Sequence, residues 1–425
     1  MKHPNHPSVD QSDRVVPYNL RQSGRTPTEL LISTRVRKSP FWHLSHEAGC
    51  WRATVYNRIY HPRGYVRPED GGAMVEYEAL VNRVTMWNVA VERQICVKGP
   101  DAEAFTDYVI TRDATKIEPG NGKYAILCND KGGILNDPVL LRIAEDEFWF
   151  SISDSDLLLW LQGVNISKKY DVMIDEIDVC PLQIQGPLSE DLMAKLAGEE
   201  LREIPYYGLM ETKIEGADVV ISQTGFTGEK GYEIYVRDAH ENAEIIWNAV
   251  LVAGEEFGLM VIAPAHHRRI QAGILSWGQD LDHETSPFQV NLSYQVPRNK
   301  EADYIGKEEL ERQKELAANW HHPLSQGRTS LYRVLDSMQE FKLCQEDVPL
   351  VVKLTENPDH ATSKLFTGAV ELFSHDCIHA LLGRGLLVKD EAFVIGYTMG
   401  SGKKMKRWRR NLFLWVWKSD TKLLG

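Results

Sequence analysis

Two stretches of this chain repeat one short unit, a strand that turns at Gly-Pro into a helix, and the repetition narrows the folds open to it. In the first, Gln94 to Lys98 alternates as a strand should, Gly99-Pro100-Asp101-Ala102 turns, and a helix runs through Tyr108. In the second, Leu182-Gln183-Ile184-Gln185 alternates, Gly186-Pro187 turns, and Ser189-Glu190-Asp191-Leu192-Met193 starts a helix. Read as copies, Ile95–Thr106 and Leu182–Lys195 imply an internal duplication that sets related halves around a shared groove. Coincidence is the competing reading, because Gly-Pro turns ahead of helices are common.

The segments between these units carry further signals. Glu76 to Val91 has apolar residues near helical spacing and predicts a helix. Asp130-Lys131-Gly132-Gly133 predicts a hairpin turn between strands at Lys123–Cys128 and Val139–Ile143. Phe148–Ile152 reads as another strand, and a helix begins within Asp156–Gly163. Val219–Gln223 and Tyr232–Val236 flank a glycine-containing turn and predict a second hairpin. Asn242–Gly254 reads as a helix, with Ile245, Ile246, Val250 and Leu251 on its apolar side. Antiparallel pairs with packed helices make α+β the expected class.

The 425 residues, 43% hydrophobic and 25% charged, are enough for two or three domains with a sizeable core. A net charge of −12 argues against nucleic acid as a partner, since phosphate binding needs a basic face. None of the six cysteines, Cys50, Cys96, Cys128, Cys180, Cys344 and Cys377, sits in a C-x-x-C pair. The expectation is therefore thiols in a reducing compartment, with no metal. Met1 to Asp10 is polar and lacks the apolar centre of a signal peptide. No run approaches the roughly 18 apolar residues of a membrane span. A cytoplasmic protein without stable membrane insertion is expected; a homodimer is left open.

Three segments are candidates for a site. Gly132-Gly133-Ile134-Leu135-Asn136-Asp137-Pro138 permits a tight turn and close ligand approach, with Asp137 either capping a turn or facing a ligand. Thr224 to Tyr235 has three glycines in seven residues, a loop that can wrap a flat ligand. Glu233 stands mid-strand among apolar neighbours, where a carboxylate needs a partner: an arginine or a ligand. Arg268-Arg269-Ile270-Gln271-Ala272-Gly273 reads as a helix with a glycine stop, its arginines either solvated or open to an acidic tail.

Taken together, "GGILNDPVLLR", "TGFTGEKGYEIYV" and "RRIQAGILSWGQDL" resemble the T-protein (aminomethyltransferase) family in order and spacing. "TVYNR", "MWNVAVERQICVKGPDA", "FWFSISDSDLLLW" and "PLQIQGP" look like its dimethylsulfoniopropionate demethylase-like branch. The resemblance covers about residues 33–312. It implies a multi-domain fold around a central channel that holds tetrahydrofolate. The organisation it suggests is a polar lead-in at 1–35, a folate-binding region of two related halves at 36–312, and a divergent C-terminal domain with a basic tail at 313–425. Carried over, Asp137 matches the aspartate near folate N5, and Glu233 the glutamate that binds the pterin ring through two parallel N–H bonds. Trp149 falls where the family has an aromatic beside the folate, and Gly228 and Tyr232 belong to the loop expected to wrap it.

The resemblance implies transfer of a methyl or other one-carbon group from a small donor to N5 of tetrahydrofolate, by proximity and alignment. A cationic donor such as dimethylsulfoniopropionate would call for aromatic faces, for which Tyr56, Trp160 and Phe226 are the candidates, together with Tyr232. Two alternatives stand beside this reading: an aminomethyltransferase of glycine cleavage and a non-catalytic folate-binding scaffold. Against the first, Ala265 stands where those enzymes carry a folate-binding arginine, and Gln271 replaces the glutamate of R-x-E-A-G. Against the second, the K-G-C-x-x-G-Q segment of such scaffolds is missing. Beyond about residue 315 the likeness fades. The basic run Lys403–Arg410 and the apolar Leu412–Trp417 read as a divergent tail or as a contact for anionic lipid.

Overall fold

The computed structural model describes residues 35–297 and 299–319. Helix α1 (Trp42–Glu47) leads into a hairpin, β1 (Arg52–Tyr56) and β2 (Ile59–Gly64), and then α2 (Ala73–Asn82) and β3 (Thr85–Asn88). A first half follows: β4 (Gln94–Lys98), α3 (Ala102–Val109), β5 (Asn121–Tyr124), β6 (Leu127–Cys128), β7 (Ile134–Asn136), β8 (Val139–Ala144), β9 (Glu147–Ser151), α4 (Leu157–Lys168) and β10 (Met173–Glu176). A second half runs β11 (Val179–Gln185), α5 (Ser189–Ala197), β12 (Leu209–Ile214), β13 (Ala217–Ser222), β14 (Gly231–Arg237), α6 (Ala239–Gly254) and β15 (Met260–Val261). Helices α7 (His266–Gln271) and α8 (Lys307–Asn319) come last.

The two halves share one topology. Their sheets are ordered β10-β4-β9-β8-β5 and, read in reverse, β15-β3-β11-β14-β13-β12. Thus β4, β9, β8 and β5 occupy the places of β11, β14, β13 and β12, with β3 standing where β10 stands. Each half opens with the strand–Gly-Pro–helix unit. Both turn glycines have positive φ, +146° at Gly99 and +126° at Gly186, and a Cβ at either would lie 2.5 Å from a backbone oxygen. Only glycine fits there, so the two motifs share a backbone constraint as well as a residue order.

The sheets stack face to face. Cys96, Leu141 and Trp149 of one pack with Val179, Val220 and Tyr235 of the other. The outer face of the first sheet is covered by α3 and α4, through residues such as Phe105, Val109 and Leu161. The second is covered by α5 and α6, through Leu192, Ile246 and Trp247. The result is helix, sheet, sheet, helix, as α+β patterning requires. A smaller cluster joins the β6–β7 hairpin to later chain: Ile126 and Ile134 against Leu281, Val296 and Leu310.

One expectation is corrected. The helix read over Glu76 to Val91 ends at Asn82, and Thr85–Asn88 is strand β3, buried at all four positions. A strand buried on both faces reads as a continuous apolar run, which periodicity cannot separate from a helix. Within α2, Glu76 is buried and accepts three backbone N–H bonds: from Tyr65 (2.8 Å), Val66 (2.9 Å) and Ala263 (2.9 Å). It thereby ties the hairpin exit and the chain after β15 to one helix.

Among the described residues, Cys50, Cys96, Cys128 and Cys180 take part in no disulfide. No helix there is long and apolar enough to cross a membrane, and no group of three or more His, Cys, Asp and Glu could hold a metal ion. Cys344, Cys377 and the tail segments Lys403–Arg410 and Leu412–Trp417 lie outside the described residues.

Candidate functional site

The β1–β2 hairpin turns on Asn57 and Arg58, both left-handed (φ +49° and +61°), as a two-residue hairpin turn requires. The turn is held by the first half of the fold. Asn57 N–H donates to Asp154 (2.7 Å), its amide donates to Val91 O (2.9 Å), and Arg58 pairs with Asp156 at 2.6 Å. This anchoring sets Tyr56 against the loop after β9. Its hydroxyl is pushed well above the ordinary tyrosine range, first by burial, then by the charges of Glu92, Asp137 and Asp154.

Asp137 stands at the foot of the β6–β7 hairpin, the element that the first half has and the second lacks. It is 8% exposed and accepts hydrogen bonds from Ser153 Oγ and from Tyr124 OH (3.0 Å). Burial raises its pKa from 3.8 to about 6; the Ser153 and Tyr124 bonds oppose the rise, and Asp280 adds to it. Such a carboxyl changes protonation near neutral pH, as a group meant to take a proton should. Glu92 is raised further, by burial and then by the charge of Glu233, and Ser151 Oγ reaches it at 3.1 Å.

Glu233 comes from the second half. Strand β14 pairs with β11 so that Glu233 lies opposite Gln183. The carboxylate is 3% exposed, and the described residues offer it only neutral donors: Gln183 Nε2 to Oε1 (2.8 Å), with Thr224 Oγ1 and Tyr235 OH to Oε2 (2.7 Å each). The arginine partner left open by the sequence is not among the described residues. Each carboxylate oxygen can accept about two bonds. Oε2 is therefore full, and Oε1 keeps one free position. Beside it, Gln183 is 0% exposed and its Oε1 has no partner. Two acceptor positions, one on Glu233 and one on Gln183, are thus left unused by the described residues.

The twofold relation explains the asymmetry. Cys96 lies opposite Trp149 as Gln183 lies opposite Glu233. With Gly99 and Gly186 superposed in register, Trp149 is the counterpart of Glu233. One half builds its position as core and the other as a polar site.

The expected site residues divide on this geometry. Glu92 and Asp137 both act on Tyr56, and Glu92 is acted on in turn by Asp137 and Glu233. Gly228 (φ +73°) keeps the glycine loop close to α7, where a Cβ would meet Ala272 Cβ at 2.7 Å. Phe226 of that loop lies edge-on to His266, centroids 6.2 Å apart, with Arg269 above its face at 5.9 Å. Trp149 is 1% exposed, its indole N–H bonded to Glu147 (2.8 Å) and Arg237 over its ring at 4.8 Å, so it is a filler between the sheets with no face open to a ligand. Tyr232 is corrected outright. The period of two along β14 sends Glu233 and Tyr235 inward and Tyr232 to the opposite face, into the helix-covered core. Trp160 packs on the helix-covered side of the first sheet. Glu92, Gln183, Tyr124 and Ser153 escaped the sequence reading. Only Gln183 left a signal: a glutamine at an inward position of an alternating strand.

The family description GCVT N-terminal domain matches residues 42–300. A dimethylsulfoniopropionate demethylase of Ruegeria pomeroyi is 33% identical over 319 residues, 75% of this chain and 83% of that protein. An aminomethyltransferase of Thermotoga maritima is 32% identical over 250 residues, 56% of this chain and 66% of that protein. Among solved structures, the glycine cleavage system aminomethyltransferase T of Bartonella henselae aligns over 66% of this chain and 75% of its own, with TM-score 0.59 and 23% identity. At that identity the likeness speaks for the fold.

Proposed function

The chain belongs to the GCVT N-terminal domain family, and from that premise we propose that it transfers a methyl group from a small cationic donor to N5 of tetrahydrofolate. The observation that carries the proposal is a pair of buried carboxyl groups, Asp137 on an insertion in the first half and Glu233 on the second half, that both act on Glu92. The residues present fit a pterin. Its neighbouring N–H groups need two acceptors side by side, and the free position on Glu233 Oε1 and the unpartnered Gln183 Oε1 supply them. This revises the expected bidentate contact to Glu233 alone, because Thr224 and Tyr235 already occupy Oε2.

Tetrahydrofolate supplies the nucleophilic nitrogen. The bond from the donor's methyl carbon to its onium centre breaks, a bond from that carbon to N5 forms, and the donor leaves as a neutral thioether or amine. The proton released from N5 passes to Asp137, which at about 6 is ionised at neutral pH and still basic enough to accept it. Ser153 and Tyr124 keep that carboxylate oriented. Aligning the two substrates supplies most of the acceleration. Asp137 and Asp154, whose charges act on Tyr56, also give a cation a favourable place to bind.

The aminomethyltransferases among the relatives favour a second reading, an aminomethyl donor in glycine cleavage. Ala265 and Gln271 speak against it; Gln271 here accepts a bond from Tyr77 OH (3.0 Å). The test is incubation with tetrahydrofolate and a panel of donors, including dimethylsulfoniopropionate, glycine betaine and dimethylglycine, read by mass spectrometry. Methylfolate from a cationic donor without a carrier protein is the expected result. Methylenefolate formed only with a lipoyl carrier protein would transfer the assignment to the second reading.

A further inference from the structure

We propose that Gln185 is a positioning residue of the folate site: its side-chain amide, sealed beneath the Thr224–Gly231 loop, fixes that loop as a preformed wall and holds Thr224 against Glu233. The inference rests on the reading above for what the wall binds, and on contacts within the chain for the wall itself.

The loop joins β13 to β14, and its glycines Gly225, Gly228 and Gly231 could serve a flexible flap over a flat ligand. The fold fills it from inside instead. Strands β11 and β14 pair in an unbroken register that sets Gln183 opposite Glu233 and Gln185 opposite Gly231. Gln183 and Gln185 are two apart and so stand on one face of β11. The Gln185 side chain takes the place that a side chain at position 231 would need. A Cβ on Gly231 would overlap the Gln185 amide, and so would a Cβ on Gly225. Both glycines therefore make room for a group of the protein itself, as Gly228 does for Ala272.

The amide is buried and bonded at both ends. Its Nε2 donates to Thr224 O (3.1 Å), and its Oε1 accepts from Thr227 Oγ1 (2.7 Å). A carbonyl can only accept, so the amide has one orientation. Thr224 Oγ1 donates in turn to Glu233 Oε2 (2.7 Å), one of the two bonds that fill that oxygen. Thr227 Oγ1 accepts from Glu229 N–H (3.0 Å), and Glu229 Oε1 accepts from Arg268 Nε (3.0 Å) and Nη2 (2.8 Å) on α7. At the loop's exit, Lys230 O accepts from Gly186 N–H (3.0 Å) and Ser189 Oγ (2.9 Å). Entry, middle and exit are each bonded to the fold outside the loop. A ligand meeting this wall need not supply the ordering entropy that closing a flap costs. Without the amide, the Thr224 carbonyl and the Thr227 hydroxyl lose these partners, and Thr224 can turn away from Glu233.

The test uses the full chain, a double-mutant cycle and tetrahydrofolate as the probe. Gly231→Ala alone is expected to lower the melting temperature by about 5 °C or more, from overpacking against the amide. In the Gln185→Ala background, where that space is vacated, the same change should lower it by less than about 2 °C. An equal loss in both backgrounds overturns the lock. Gln185→Met fills the space without either hydrogen bond, and it carries the test if Gln185→Ala does not fold. It is expected to weaken tetrahydrofolate binding by about 10-fold in calorimetry and to raise the KM for tetrahydrofolate equally, with kcat at saturation and the KM of the donor kept. A merely structural loss would lower the active fraction, and so kcat, at unchanged KM. Unchanged tetrahydrofolate affinity in Gln185→Met, or a fall confined to kcat, overturns the positioning role. Coupling in the cycle with no tetrahydrofolate binding by the wild type leaves the fixed wall standing and refutes the folate reading.

Discussion

Replacing Asp137 by asparagine keeps the shape of the side chain and removes its charge, which separates the stability of this site from its chemistry. In the fold the carboxyl sits at about 6 in place of its ordinary 3.8, with burial as the main cause. The folded protein therefore holds this proton more tightly than the unfolded chain. Below about pH 4 the group is protonated in both states and costs nothing. As pH rises from about 4 to about 6 the unfolded chain ionises first, so stability falls, and above about 6 the full cost persists. At about 1.4 kcal/mol per tenfold, that cost is about 3 kcal/mol. An amide escapes it, but Ser153 and Tyr124 must reorient around the new group, which offsets about 1 kcal/mol. Asp137→Asn should thus be more stable than wild type by about 2 kcal/mol at pH 8, with the advantage gone by about pH 4. Turnover should fall by about 100-fold or more, with folate affinity nearly kept. Urea titrations from pH 4 to 8 read the first effect and methylfolate formation the second. A variant less stable than wild type at pH 8, or a difference that does not change with pH, would refute the burial argument.

Three further outcomes follow from the same geometry. Glu233→Gln should weaken tetrahydrofolate binding by about 10- to 150-fold in calorimetry, the loss of one charge-assisted bond at about 1.5–3 kcal/mol; unchanged affinity would remove Glu233 from the site. Trp160→Ala should lower thermal stability by about 3–5 kcal/mol at most, as a core truncation does, while leaving the KM of the donor unchanged; a selective rise in KM would restore it to a cation-binding role. Glu76→Ala strands three backbone N–H groups and should cost about 3 kcal/mol or more in urea unfolding, whereas a loss below about 1 kcal/mol would show that water replaces the carboxylate.

Much of the fold is legible along the chain because its determinants are local. The Gly-Pro turns at Gly99 and Gly186, the glycine turn before Ile134 and the periodicity of α6 each depend on a few adjacent residues. Strand β3 escaped because burial on both faces erases the alternation that marks a strand. Asp137 and Glu233 stood out as acids in apolar or glycine-rich surroundings, and the ordered motifs around them carried the family resemblance. What sequence could not decide is which neighbours face them. Gln183 meets Glu233 only through the pairing of β11 with β14, and Tyr124 and Ser153 meet Asp137 only through the closure of the first sheet and its loop. Tyr232 and Glu233 are adjacent in the chain and on opposite faces in the fold, while Trp149 and Glu233 are far apart in the chain and equivalent in the duplication. A residue's type and its local backbone are written in the chain beside it; the face it presents, and whether a partner awaits it there, are set by contacts between segments as much as 194 residues apart.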